Sequence, residues 1–375
     1  MKTRKHHPRP GAVLVGFGLY AMTAAAMAQA SFDIPSQVLR VPTIDVGGQT
    51  YRNLEARLDP DGRLTILSLT GPQVVDNAAR ISAATATAQS SSNTCSGVRP
   101  FYWEIGDKTQ RLAGGSVNAS GSSTVYDAGT TIEIASASKW LYGAYVAEVR
   151  GGALTAEDIR FLNFRSGYTN FGFLGCDQTD TVASCVARNN NGVLSPENID
   201  RFYYSGGHME KHASLPAPGM NLGPLANGAL GAEIRRVLGT DINLSYSQPQ
   251  LAGGARTSAR DYATFLRKLL NQQLKMAALL GSYPVCTNPK TCPTAASAPT
   301  PSDLSWHYSI AHWVEDDPVS GDSAYSSLGA FGFYPWIDAT KTWYGVVSRA
   351  SLIGAADSAN CGALVRKAWV TGVVQ

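Results

Sequence analysis

Twelve residues, Thr131 to Tyr142, read TIEIASASKWLY and run on into Ala144, Tyr145 and Val146. That spacing predicts a helix on which Ser136 and Lys139, three positions apart, share one face and can touch. A free serine hydroxyl is a poor nucleophile. Acyl transfer needs a base within hydrogen-bond reach, and a lysine serves only when its pKa, about 10.4 in water, is lowered. Ile132, Ile134, Trp140 and Leu141 would strip water from the ammonium and favour the neutral amine. The exposed N–H groups at the helix start favour negative charge and can polarise a developing oxyanion.

The chain starts with Lys2, Arg4, Lys5 and Arg9, runs apolar from Ala12 to Ala26, and reaches Ala28-Gln29-Ala30, a small-x-small cleavage pattern. Residues 1–30 therefore read as a secretory signal peptide, with a bacterial periplasm or the medium as destination. The apolar run is shorter than the roughly 20 residues that cross a bilayer, which disfavours an anchor, so no membrane span is expected after cleavage. Four of the 31 basic residues lie in this leader, leaving 27 against 28 acidic ones, a net −1. Without a Lys/Arg cluster, such a chain is not expected to bind nucleic acid or an anionic membrane.

Residues 31–72 alternate apolar and polar over Val38–Val46, Tyr51–Leu58 and Leu64–Leu69, with Gly47-Gly48 and Asp61-Gly62 between, and predict a small β meander. Residues 73–94, rich in Ala, Ser, Thr and Gln, read as a linker with a helical stretch. Residues 95–375 form the main domain. Strand patterns lie near both its ends, at Phe101–Ile105, Trp306–Val314, Ser326–Ile337 and Trp343–Ser348, and helical spacing closes it at Cys361–Val370. Strands at both ends with helices between them give an α+β class, with helices covering an antiparallel sheet.

S-x-x-K alone recurs by chance, and an exposed serine beside a snorkelling lysine competes with the catalytic reading. The flanks carry more weight. Thr131-x-x-Ile134-Ala135-Ser136-x-Ser138-Lys139, the apolar helix, and then Gly151-Gly152-Ala153-Leu154 with Asp158 resemble the active-site segment of the serine β-lactamase and penicillin-binding protein superfamily, most of all its class C β-lactamase and esterase branch. Leu251-Ala252-Gly253-Gly254-Ala255-Arg256-Thr257-Ser258 with Asp261 resembles a helix start of that family, where Thr257 or Ser258 would be the cap. The resemblance implies an antiparallel sheet flanked by helices with a helical subdomain, the β-lactamase/transpeptidase-like arrangement, and no cofactor or metal.

It also implies site residues. A tyrosine opposite the lysine relays the proton, and Tyr204, in Phe202-Tyr203-Tyr204-Ser205-Gly206, is the better candidate, with Tyr203 the other. Tyr246-Ser247 repeats the dyad and reads as loop. Gly206 stands where an asparagine usually binds the substrate. The third motif maps to Ser327-Leu328-Gly329, whose glycine lets substrate approach, with the N–H groups of Ser136 and Ala330 as the oxyanion hole. The family's cation is missing there, and Arg256 or Lys341 could replace it in space. Tyr334 and Trp336 are candidates for an acyl pocket.

The six cysteines allow fifteen pairings. Cys176/Cys185 and Cys286/Cys292 are close enough to staple loops, which leaves Cys95 with Cys361; the resemblance, which places the first strand beside the last helix, makes that long pairing plausible. Metal ligation competes, but no Cys-x-x-Cys spacing occurs. His208-x-Glu210-x-His212 is not a zinc-protease motif and reads as surface residues, and Glu157-Asp158 reads as a pair of solvated carboxylates at a helix start. The expectation is an exported serine hydrolase acting through an acyl-enzyme on a small-molecule or peptide-like ester or amide. The alternatives are a β-lactamase or D-Ala-D-Ala carboxypeptidase and, in another class, a non-catalytic ligand-binding relative.

Overall fold

In the computed structural model the described residues are 30–46, 49–71, 75–172, 175–299 and 304–375, so the expected leader, apart from Ala30, and the Gly47-Gly48 turn lie outside them. The chain divides into two units, residues 1–73 and 74–375. The first is an antiparallel sheet of four strands in sequence order, Ser31–Asp33, Val38–Val46, Gln49–Leu58 and Leu64–Thr70, one short strand more than the sequence predicts. Gly62, at φ +84°, makes the last turn, a conformation that favours glycine.

The second unit is built on an eight-stranded sheet in the order Val285–Cys286, His307–Tyr308, Trp313–Val314, Tyr325–Ser326, Tyr334–Ile337, Trp343–Ser348, Phe101–Asp107 and Arg111–Val117. Every pairing in it is antiparallel. The strand Phe101–Asp107 explains how two cores form. Side chains alternate along a strand, so Phe101, Trp103 and Ile105 face one way, onto Val365 and Trp369 of the C-terminal helix Ala355–Thr371, while Tyr102 faces the other core with Ile134, Trp140 and Phe265. The protein is α+β, with helices on a sheet, as the distribution of strands predicts.

Most of the expected linker is instead a packed helix, Asn77–Gln89, which buries Ala83, Ala84, Thr87 and Ala88. Small side chains let it approach the C-terminal helix closely. Arg80 Nη1 donates to the carbonyls of Trp369 and Val370 at 2.7 and 3.2 Å, and Gln375 N donates to Thr87 Oγ1 at 2.9 Å. Alanine and threonine read as linker composition because their contribution is close packing, which composition does not register. The described cysteines pair as Cys95–Cys361, Cys176–Cys185 and Cys286–Cys292. The first joins residues 266 positions apart and ties the start of this unit to its last helix. Replacing both Cys95 and Cys361 by serine is expected to cost about 5 kcal/mol in urea unfolding, the magnitude for closing a loop of 100 residues or more; an unchanged midpoint and slope would contradict it.

Candidate active site

The nucleophile turn joins the strand Ile132–Glu133 to the helix Ser138–Val149 through a 3-10 turn, Ala135–Ala137. All ten residues from Ser138 to Ala147 are buried, as suits a helix apolar on every side. Ala135 sits at φ +44°, a left-handed conformation that costs a non-glycine residue of order 1–3 kcal/mol and persists only where the surroundings impose it. They do so here. Ser138 Oγ donates to Ala135 O at 2.6 Å and accepts from Ala255 N at 3.2 Å, Tyr262 Oη donates to Ala137 O at 2.8 Å, and Ser327 Oγ donates to Ser136 O at 3.1 Å.

This turn sets Lys139 Nζ 2.8 Å from Ser136 Oγ and 2.8 Å from the carbonyl of Ala252. Lys139 is only 4 % exposed. Loss of water outweighs the attraction of Glu210 and brings its pKa down to about 7. Nζ lies 4.9 Å from the centroid of the Tyr204 ring, and the Tyr204 hydroxyl has Ser136 and Trp313 as polar neighbours. Trp313 stacks on that ring at 5.4 Å. Burial, against the pull of those two neighbours, pushes Tyr204 up to about 12. Near neutral pH the phenol therefore keeps its proton while the amine can lose one.

Ser136 and Lys139 open onto a cleft of about 610 Å³, also lined by Tyr203, Tyr204, Ser205, Gly206, Ala330 and Phe331. Among the described residues, neither the Ser136 nor the Ala330 amide donates to another protein group. Two amides at one cleft are thus free to bind an anion.

No family model matches the sequence, and no curated protein matches it. Solved structures do. The chain is similar to a protein of Bacteroides dorei DSM 17855 assigned provisionally as a β-lactamase (TM-score 0.52, 17 % identity, covering 72 % of this chain and 95 % of that one). It is similar to EstCE1, a hydrolase with promiscuous acyltransferase activity (0.55, 11 %, 78 % and 99 %), and to the D-amino acid amidase of Ochrobactrum anthropi SV3 (0.54, 12 %, 78 % and 98 %). The chain has the serine β-lactamase-like fold.

Within that fold the third-motif segment has a role different from the expected one. Ser327 and Gly329 do not line the cleft; they brace the nucleophile turn, Ser327 through the Ser136 carbonyl and Gly329 through close approach to Ile134. A Cβ at Gly329 would stand 2.2 Å from Ile134 O. Gly206 does line the cleft, at an ordinary φ of −63°. A Cβ there would meet Ala252 at 3.2 Å and Phe171 at 3.3 Å, so a larger residue would require these side chains to give by a few tenths of an ångström. Tyr334 and Trp336 are buried in the second core on the far face of the sheet, where Tyr334 bonds Glu315 and Arg366, and so form no acyl pocket.

Each of the two proposed substitutes for the missing cation already has a partner, and that of Arg256 lines the cleft. Arg256 pairs with Glu133 at 3.1 Å, and Lys341 lies over the Tyr325 ring. Among the described lining residues the charged groups are Lys139 and Glu133. Tyr246 belongs to the short strand Ser245–Tyr246 and is buried, whereas Ser247 lines the cleft and donates to Glu133 at 2.9 Å. Ser258, not Thr257, caps the helix Ala259–Leu270.

The His208-x-Glu210-x-His212 segment is not a surface feature: all three side chains are buried. His208 bonds Ser166 Oγ and the Tyr203 carbonyl, and His212 bonds Tyr142 Oη and Asp158. Asp158 is buried too. Burial pushes its carboxyl up, but hydrogen bonds from His212, Arg150 and Thr155 hold it well below the usual carboxylate range. Glu210 accepts from Leu251 N and Ala252 N, both at 2.9 Å. The available signal was the irregular Leu251–Gly254 stretch, whose buried N–H groups require acceptors from somewhere.

Gly329→Ala is expected to push the turn away from the end of the strand Tyr325–Ser326, lowering stability by about 2 kcal/mol and disturbing Ser136. Thermal unfolding together with covalent labelling of Ser136 checks this, and a variant unchanged in both would contradict the bracing role.

Proposed function

We propose that this protein is an exported serine hydrolase that forms an acyl-enzyme on an ester or amide. The observation that carries the reading is the 2.8 Å separation of Ser136 Oγ from a lysine amine whose burial lets it lose its proton near neutral pH. Neutral Lys139 takes the Ser136 proton as the oxygen attacks the carbonyl carbon. The amide N–H groups of Ser136 and Ala330 receive the tetrahedral oxyanion. As the intermediate collapses, the Tyr204 phenol gives its proton to the leaving group and regains one from the Lys139 ammonium; water then enters and repeats the steps in reverse order to release the acid. Tyr204 is a relay rather than the base, because its proton is held up to about 12.

The hydrolase, acyltransferase and amidase activities named for the structural neighbours lie in this reaction class. A carboxylate-bearing β-lactam or D-Ala-D-Ala peptide would meet no lining cation except the general base, among the described residues, and the Arg256 guanidinium beside the lining Glu133 is already paired with it. That favours uncharged acyl groups. The leader-like start of the chain and the three disulfides support export, and no helix among the described residues is long and apolar enough to cross a membrane.

A fluorophosphonate probe is expected to label the protein and not Ser136→Ala; no labelling of the folded wild type would overturn the reading. Lys139→Met should lower kcat/KM about 10³-fold on p-nitrophenyl esters, with nitrocefin turned over poorly or not at all. The base must be neutral, and its folded pKa lies below the ordinary value, so kcat/KM should be full above about pH 7 and fall as pH drops through it. An acid limb near pH 10 would contradict a desolvated base.

A further inference from the structure

Glu210 is a carboxylate, 1 % exposed, that the reaction above leaves unused. It stands on the helix Gly207–Ser214, which follows Tyr204 directly. Its two oxygens accept from Ala252 N and Leu251 N, each at 2.9 Å, while the carbonyl of Ala252 accepts from Lys139 Nζ at 2.8 Å. Ala252 therefore joins the buried acid to the buried amine, through its N–H on one side and its C=O on the other. The residue lies between the strands Ser245–Tyr246 and Ala255–Thr257, outside either ladder. No β pairing fixes that carbonyl, so the carboxylate is its anchor.

The titratable groups facing Glu210 are Lys139 and Tyr142 from the nucleophile helix and Tyr246 from the neighbouring strand. Burial drives both phenols upward, so they stay neutral, and Lys139 is the one group of opposite charge. His208 and His212, on Glu210's own helix, are committed to Ser166 and Tyr203 and to Tyr142 and Asp158. A carboxylate taken out of water costs several kcal/mol unless hydrogen bonds and an opposite charge offset it, and here both face one residue of the proposed machinery.

We propose that Glu210 is a positioning residue for Lys139: it fixes the Leu251–Ala252 backbone that holds the amine beside Ser136, and it is the counter-charge of the ammonium formed when Ser136 gives up its proton. This rests on the serine hydrolase reading. The proton balance is unchanged, since Glu210 neither gives nor receives one; it stabilises the charge that Lys139 acquires. Burial, opposed by the two N–H groups and by Lys139, moves the Glu210 carboxyl up to about 7, so it titrates in the same range as Lys139 and the acid limb belongs to the pair.

The test is the second-order rate of fluorophosphonate labelling from pH 5 to 10 in the full-length wild type, Glu210→Gln and Glu210→Asp, with folding checked by circular dichroism. Glu210→Gln is expected to lower the plateau about 10²-fold and move the acid limb to lower pH, because the amine has lost the charge that favours its protonation. Glu210→Asp keeps the charge and should keep the midpoint, at a plateau lowered about tenfold by looser backbone placement. A folded Glu210→Gln with the parental midpoint overturns the proposal, as does a midpoint displaced equally in both variants. If only Glu210→Asp folds, a retained midpoint with a lowered plateau supports the role, and a displaced midpoint or an unchanged plateau overturns it. A wild type that is folded yet unlabelled at every pH sinks the hydrolase reading itself, a result distinct from either.

Discussion

An amine kept dry beside an alcohol is the constraint on which the account depends. In water, Lys139 would hold its proton some three pH units above neutrality and could take nothing from Ser136. Burial alone reverses this, and it has to be built. The helix Ser138–Val149 is enclosed on all sides, Trp140 packs against Phe265 and His312, and the Tyr204 ring closes over Nζ. The fold thus supplies the change in basicity by desolvation, against the charge that acts on the amine, since Glu210 works in the opposite direction.

The same enclosure must hold the two reacting atoms at bonding distance. A left-handed Ala135 bends the chain into the turn, and the segment Ser327 to Gly329, at the end of an interior strand of the sheet, presses on it from behind. The eight-stranded sheet is thereby connected to the chemistry. Its strand Tyr325–Ser326 ends where the brace begins, and the Gly329–Phe333 turn carries Ala330 and Phe331 to the cleft wall. Rigidity behind the serine and desolvation around the lysine are two results of one packing arrangement.

Much of this was legible in the sequence because it is local. Three residues on a helix fix which face Ser136 and Lys139 share, and period-two alternation fixes which side of the sheet Trp103 and Tyr102 occupy. The Tyr203–Tyr204 choice depends on contacts with Trp313 and Lys139 from distant segments, and only the folded chain shows that the second ring is the one over the amine. Glu210, His208 and His212 read as surface residues, since polar side chains usually are; what buries them is the need of the Leu251–Ala252 amides, Ser166 and Asp158 for partners. The contacts of Ser327 and Gly329 with the Ser136 turn are not legible for a related reason: a glycine that admits a ligand and one that admits another backbone look identical in one dimension.

The central claim is a proton affinity, and it can be read without any substrate. With lysine labelled by ¹⁵N at the side-chain nitrogen and the resonance assigned through Lys139→Met, the Lys139 amine is predicted to titrate near pH 7. A Lys139 signal that titrates near pH 10 with the other lysines would contradict the account.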